Sequence, residues 1–158
     1  MDLTTFLIRI TICFALSILI GLERQLRHRM VGLRTNVLVC IGAFLFVYLS
    51  FGVNIVNSDM TRIAAQVVSG IGFLGAGVIM QSKDKIRGIT TAAVLWVMSA
   101  IGMIIGNGNI DIGIIATMFL YGSLILLRQF ELKYIKSNKV LSVRIIYEYT
   151  SEEKILRT

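Results

Sequence analysis

Apolar residues collect into five long runs, Leu3–Leu22, Asn36–Val53, Ile63–Met80, Ile89–Ile105 and Ile110–Leu127, with short polar stretches between them. A helix needs about 20 mostly apolar residues to cross the hydrocarbon layer of a bilayer. Each run therefore predicts one membrane-spanning helix, the second, third and fourth near the short end of the range. A cleaved signal peptide is the alternative for the first run. Asp2 in place of any Lys or Arg ahead of it, and no Ala-x-Ala-like site after it, favour a span. Past Glu131 the pattern changes. Lys139 to Tyr149 is β-branched and aromatic with rough alternation, which predicts a strand. Ser151-Glu152-Glu153-Lys154 then reads as a helix start with serine as N-cap. One strand and the start of a helix cannot bury a core. Either the tail docks on something or the chain is a fragment of a longer protein; the fragment is favoured, with residues 131–158 opening a further domain behind a membrane domain of residues 1–130.

Of 158 residues, 56% are hydrophobic, 16% are charged and none is proline. Soluble domains carry about 25% charged residues, and one this short lacks the interior to hide so much apolar surface. Disorder, collagen and a disulfide-stapled secreted domain are excluded by the same figures. An all-α, polytopic bundle of about five transmembrane helices remains. The net charge of +7 would suggest a nucleic-acid partner for a soluble protein; in a membrane protein its distribution reports topology instead. Arg24, Arg27, Arg29 and Arg34 precede the second run, Lys83, Lys85 and Arg87 separate the third and fourth, and seven more Lys and Arg follow Leu127. The opposite side has only Arg62, and Arg9 lies inside the first run. The positive-inside rule puts the N-terminus outside and the tail in the cytoplasm, consistent with an odd number of spans. No nucleic-acid partner is expected. The segment from Arg24 to Arg29 reads as a cytoplasmic retention signal that also touches anionic membrane lipids.

Polar groups in hydrocarbon are costly and should face other helices or a cavity. Thr5, Arg9, Cys13, Ser17 and Arg24 fall on one side of the first helix. Arg9 is about six residues from the outer end, or roughly 9 Å, and could snorkel to headgroups, pack between helices or serve transport. Gly70, Gly72 and Gly75 match G-x-G-x-x-G, but inside a membrane span that pattern carries no dinucleotide signal. Ala65, Ser69, Gly72, Gly75 and Ala76 share a face that lets another backbone approach, and Arg62, Gln66, Ser69 and Gly70 form a polar stripe beside it. Thr91, Ser99, Gly102 and Gly106 make a second small face. Two readings stand: tight helix packing, or a polar site between helices one, three and four. Trp96, deep in its span, is expected to find an interhelical acceptor. Glu23 is expected to pair with a basic residue from another cytoplasmic loop. Cys13 and Cys40 read as buried, reduced packing residues, and no catalytic role attaches to His28.

At these residues the chain resembles the MgtC/SapB family of bacterial inner-membrane proteins. The matching blocks are Gly21-Leu22-Glu23-Arg24-Gln25, Gly32-Leu33-Arg34-Thr35, the stretch from Arg62 to Gly77, and Gly88-Ile89-Thr90-Thr91-Ala92-Ala93 with Leu95-Trp96. The resemblance implies a multi-pass protein of the bacterial plasma membrane. It also implies a link to growth at low magnesium and, in pathogens, to survival inside host cells. It implies modulation of other membrane machinery, including the F-type ATP synthase, in place of magnesium pumping. Many members carry a cytoplasmic ACT-like α+β domain after the last span, and the predicted strand at Lys139 looks like its beginning. The candidate polar site comprises Arg9, Glu23, Arg24, Arg34, Arg62, Gln66, Ser69, Thr90, Thr91 and Trp96. Gly70, Gly72, Gly75 and Gly77 are the candidate helix-packing residues.

A non-enzymatic regulator that binds partner helices is the first functional expectation, since spacing assembles no Ser/His/Asp, Cys/His or metal-ligand set. No cofactor is expected, and pairing into a homodimer through the glycine-rich faces is. The alternative is a magnesium or proton channel or transporter. Magnesium is usually held by carboxylates and retained water, yet no acid lies deep within a span; Glu23 and Asp111 sit at boundaries. The basic residues crowding the cytoplasmic mouth also disfavour cation conduction.

Overall fold

The first apolar run forms α1, Leu3–Leu26. It continues one turn past Leu22 because Glu23, Arg24, Gln25 and Leu26 are strong helix formers and Glu23 pairs with Arg27 one turn on. The helix then stops in a Schellman motif: the Arg29 N–H donates to the Arg24 carbonyl at 3.1 Å and the His28 N–H to that of Gln25 at 3.0 Å. His28 takes the left-handed position, φ 50°, where glycine is usual. The remaining helices are α2 (Leu33–Gly52), α3 (Met60–Val78), α4 (Ile89–Gly106) and α5 (Ile110–Tyr134). The structure is a computed structural model that describes residues 2–52, 60–82 and 85–134. The strand and helix start expected after Lys139 lie outside the described residues.

Four helices, α1, α2, α4 and α5, are long and apolar enough to cross a membrane, whereas the apolar stretch of α3, Arg62–Val78, is shorter. The loop expected between the third and fourth runs contains a two-stranded antiparallel ribbon, β1 (Met80–Ser82) and β2 (Lys85–Arg87), pairing Met80 with Arg87 and Ser82 with Lys85.

Residues up to Ile125 form one unit. Its most extensive contacts are α2 on α4, then α1 on α2 and α3 on α4. The core is the buried stripe of α1 (Cys13, Ile20), of α2 (Cys40, Phe44) and of α4 (Val94, Met98, Ile101, Ile105). Cys13 and Cys40 are free thiols inside it, their sulfurs 3.1 Å apart. Within the unit, large apolar side chains such as Leu38, Phe73 and Phe119 point outward, the arrangement lipid solvates and water does not. The second unit starts at Leu126; in it the Phe130 and Tyr134 rings stack at 5.9 Å and the Lys133 Nζ sits over Tyr134.

Two glycines of α4 set the closest approach. A Cβ on Gly102 would strike the Cys40 carbonyl oxygen, and one on Gly106 would lie 2.7 Å from that of Phe44. The small face Thr91, Ser99, Gly102 and Gly106 is buried throughout, as the packing reading expects. The glycines of α3 behave differently. Gly75 alone meets a neighbour, its Cβ position 3.6 Å from the Ala92 Cβ, while positions 70, 72 and 77 open onto empty space. Among the described residues the close approach is thus carried by α4, and positions 70, 72 and 77 of α3 are left uncovered.

Gly102→Val should lower stability by roughly 3 kcal/mol or more, because a carbonyl cannot yield as a side chain can. Gly122→Ala, with nothing within 4 Å of its Cβ among the described residues, should raise stability by up to about 1 kcal/mol, the helix-propensity gain of alanine over glycine. Thermal melts in detergent, followed by monodispersity, measure both. His28→Gly should raise stability in the same assay by about 0.5–1 kcal/mol, the relief of a left-handed non-glycine residue less the added freedom of the unfolded chain.

Candidate functional site

Five hydroxyls in the described helices are satisfied locally. Ser17, Ser50, Ser99 and Ser123 donate to the carbonyl three residues back, and Thr117 to that of Gly113, all within 2.6–2.8 Å. Such back-bonding lets a hydroxyl sit in an apolar helix without needing a partner helix. It removes Ser99 from consideration as a site group.

The end of the bundle holding the last turn of α1 is different. Arg24 follows the buried stripe Cys13, Ser17 and Ile20 around α1 and is itself 2% exposed. Its Nη2 donates to Oγ1 of Thr91, in the first turn of α4, at 3.0 Å. Glu23, 7% exposed, pairs with Arg27 one turn on; the side chains of Lys83 and Lys85, in the loop before α4, lie outside the described residues. The i, i+4 spacing makes Arg27 available without any tertiary constraint. Asn36, in the first turn of α2, is buried and donates from Nδ2 to the Gly32 carbonyl at 2.7 Å. Gln25 Oε1 accepts the Leu33 N–H at 3.3 Å, and a Cβ on Gly21 would come within 2.8 Å of the Leu33 Cα. The segments Gly21–Gln25 and Gly32–Thr35 therefore pack against each other. Glu23 Oε2, Arg24 Nε and Asn36 Oδ1 are buried there without a hydrogen-bond partner.

The other residues of the expected site lie elsewhere. Arg9 is fifteen residues from Arg24 on the same helix, about 22 Å along its axis. Its guanidinium lies against the turn between α4 and α5, 3.0–3.2 Å from where a Gly108 Cβ would stand. Gly108, at φ 100°, closes a second Schellman turn there. Arg34, Arg62, Gln66, Ser69 and Thr90 are exposed. Trp96 is 52% exposed, so its indole is not enclosed between helices; position 96 falls just off the buried stripe of positions 91, 94, 95, 98 and 99. The structure thus joins Arg24 to Thr91, of α1 and α4, and leaves the α3 residues out of that contact. Asn36 and Gln25 were missing from the expected set, though Asn36 shares the helical stripe of Cys40, Ala43 and Val47. Among the described residues no cluster of three His, Cys, Asp or Glu could hold a metal ion.

A model of the MgtC family matches residues 10–133. Protein MgtC of Brucella abortus (strain 2308) is 51% identical over 115 residues, 73% of this chain and 48% of that protein. Protein MgtC of Salmonella typhimurium (strain 14028s) is 45% identical over 124 residues, 78% of this chain and 53% of that one. An uncharacterized protein of Synechocystis is 45% identical over 128 residues, 81% of this chain and 54% of its own. The chain spans about half the length of the curated relatives it matches. No solved structure matches it.

A double-mutant cycle separates the joined pair from the scattered residues. Arg24→Gln with Thr91→Val should show a coupling of about 1–3 kcal/mol, the range for a hydrogen bond to a charged group. Arg24→Gln with Gln66→Leu should be additive within about 0.5 kcal/mol. Unfolding in mild detergent measures both.

Proposed function

The chain belongs to the MgtC family, and we propose that it is a non-enzymatic regulator in the bacterial inner membrane. It acts in growth at low magnesium and in survival inside host cells, by docking its α3 face on helices of other membrane proteins, such as the F-type ATP synthase. The supporting observation is the uncovered strip on α3. Positions 70, 72 and 77 have nothing within 4 Å of a Cβ, while Ala65, Ser69 and Ala76 are exposed beside them. Small residues let a second backbone come close enough for van der Waals contact, the main source of helix affinity in lipid. The same strip would serve self-association into a homodimer. In this reading the chain crosses the membrane five times, α3 included. The N-terminus is outside, the basic segments face the cytoplasm and anionic lipid, and the segment after Tyr134 begins an ACT-like domain.

The separation of Arg24 and Thr91 from Arg62, Gln66 and Ser69 favours this reading over conduction of magnesium or protons between α1, α3 and α4. Magnesium flux into liposomes holding only this protein would reverse that preference.

In a strain that depends on this protein for growth at low magnesium, Gly72→Leu should abolish growth. It should still accumulate in the membrane with a melting temperature no lower than wild type, since a Cβ there meets nothing within 4 Å among the described residues. A tenfold or greater loss of partner affinity, about 1.4 kcal/mol, is enough for that effect. Growth equal to wild type would exclude the α3 face as the docking surface.

A further inference from the structure

Arg24 is a buried cation whose neighbouring carboxylate, Glu23, is buried beside it but pairs with Arg27. Its one hydrogen bond goes to a neutral hydroxyl, Oγ1 of Thr91, and its Nε is enclosed with no acceptor. Desolvation and the positive charges of Arg29 and Arg27 disfavour the guanidinium, while the Glu23 carboxylate attracts it. Nε–H and Nη2 form one edge of the planar fork. Through Nη2 the guanidinium reaches the first turn of α4, so its unpartnered Nε–H lies at that end of the helix.

That turn is itself short of acceptors. The N-cap is Gly88, at φ 95°, and no side chain caps the helix. Its first intrahelical bond runs from the Ala92 N–H to the Gly88 carbonyl at 2.8 Å, so the N–H groups of Ile89, Thr90 and Thr91 have no acceptor within the helix. Gly88 cannot be exchanged for a capping residue, because a Cβ there would strike the Val78 carbonyl oxygen. The N-terminus of a helix carries about half a positive charge. A buried guanidinium facing it is repelled unless an anion stands between them.

We propose that the first turn of α4, together with the Arg24 guanidinium, is a binding site for a phosphate oxyanion. A tetrahedral phosphate takes the unpartnered Nε–H of the arginine, the first-turn amides and the Thr91 hydroxyl at once, as phosphates do at other helix N-termini. The depth fits a lipid headgroup as well as a free ion. Arg24 is twenty-one residues from Leu3, about 32 Å along α1, which is close to the ~30 Å thickness of the hydrocarbon layer.

Titration of the full chain in detergent with inorganic phosphate and with dioctanoyl phosphatidylglycerol, read by native mass spectrometry and thermal shift, tests the site. Dioctanoylglycerol serves as the phosphate-free control. At least one phosphate probe should bind saturably and raise the melting temperature. Saturation by inorganic phosphate identifies a free ion as the source, and saturation by the phospholipid alone identifies a headgroup. Thr91→Val, which keeps the shape of the side chain, should weaken binding tenfold or more, and Arg24→Gln should remove it. Lys133→Gln should bind as wild type. If Arg24→Gln does not fold, Thr91→Val decides alone. The proposal is overturned if neither probe binds, if dioctanoylglycerol binds as well as the phospholipid, or if Thr91→Val binds with wild-type affinity.

Discussion

The contact of α4 with the carbonyls of Cys40 and Phe44 on α2 sets the rest of the bundle. In lipid there is little hydrophobic gain in bringing two apolar helices together, so association depends on how closely backbones approach. Gly102 and Gly106 supply that closeness by lacking a Cβ. With α4 and α2 locked, the groove between them receives the stripe Cys13, Ser17 and Ile20 of α1. Continuing along that stripe delivers Arg24 to Thr91. The polar contact at one end of the bundle is therefore a consequence of apolar packing along its length, not its cause.

Polar groups are handled in two ways. Ser17, Ser50, Ser99, Thr117 and Ser123 bond to their own backbone and place no demand on tertiary structure. Charged groups cannot do this. Arg9 is carried to the turn between α4 and α5, and Glu23 takes the arginine one turn on. Arg24 is left with a hydroxyl and an uncapped helix end. The asymmetry singles out the Arg24 end as chemically unfinished and α3 as sterically unfinished.

The hydrophobic runs marked all five helices, since α1 to α5 each contain most of one run. The polar stripe of α1 was legible because its period of 3.6 places Thr5, Arg9, Cys13, Ser17 and Arg24 on one side. A stripe does not say which neighbour it meets at each level, so Arg9 and Arg24 looked like members of one site although about 22 Å of helix separates them. The glycines of α3 and α4 were likewise equivalent as letters. Which set is covered depends on which helix packs on α2, a tertiary fact with no periodic signal. The continuation of α1 through Glu23 and Arg24 was missed because hydropathy ends at Leu22 while helix propensity does not. The ribbon Met80–Arg87 was missed because three-residue strands show too few alternations to register.

The central claim is that the open face of α3 is where this protein meets another membrane helix. Phe73, 82% exposed, lies on the strip with Gly70 and Gly77 at i−3 and i+4, and Phe119 on α5 is comparably exposed but lies off it. Benzoyl-phenylalanine placed at each position in native membranes and activated by light reads out what touches them. The account predicts protein adducts from position 73, on a transmembrane helix of another chain, and lipid adducts alone from position 119. Lipid adducts alone from both positions would contradict it.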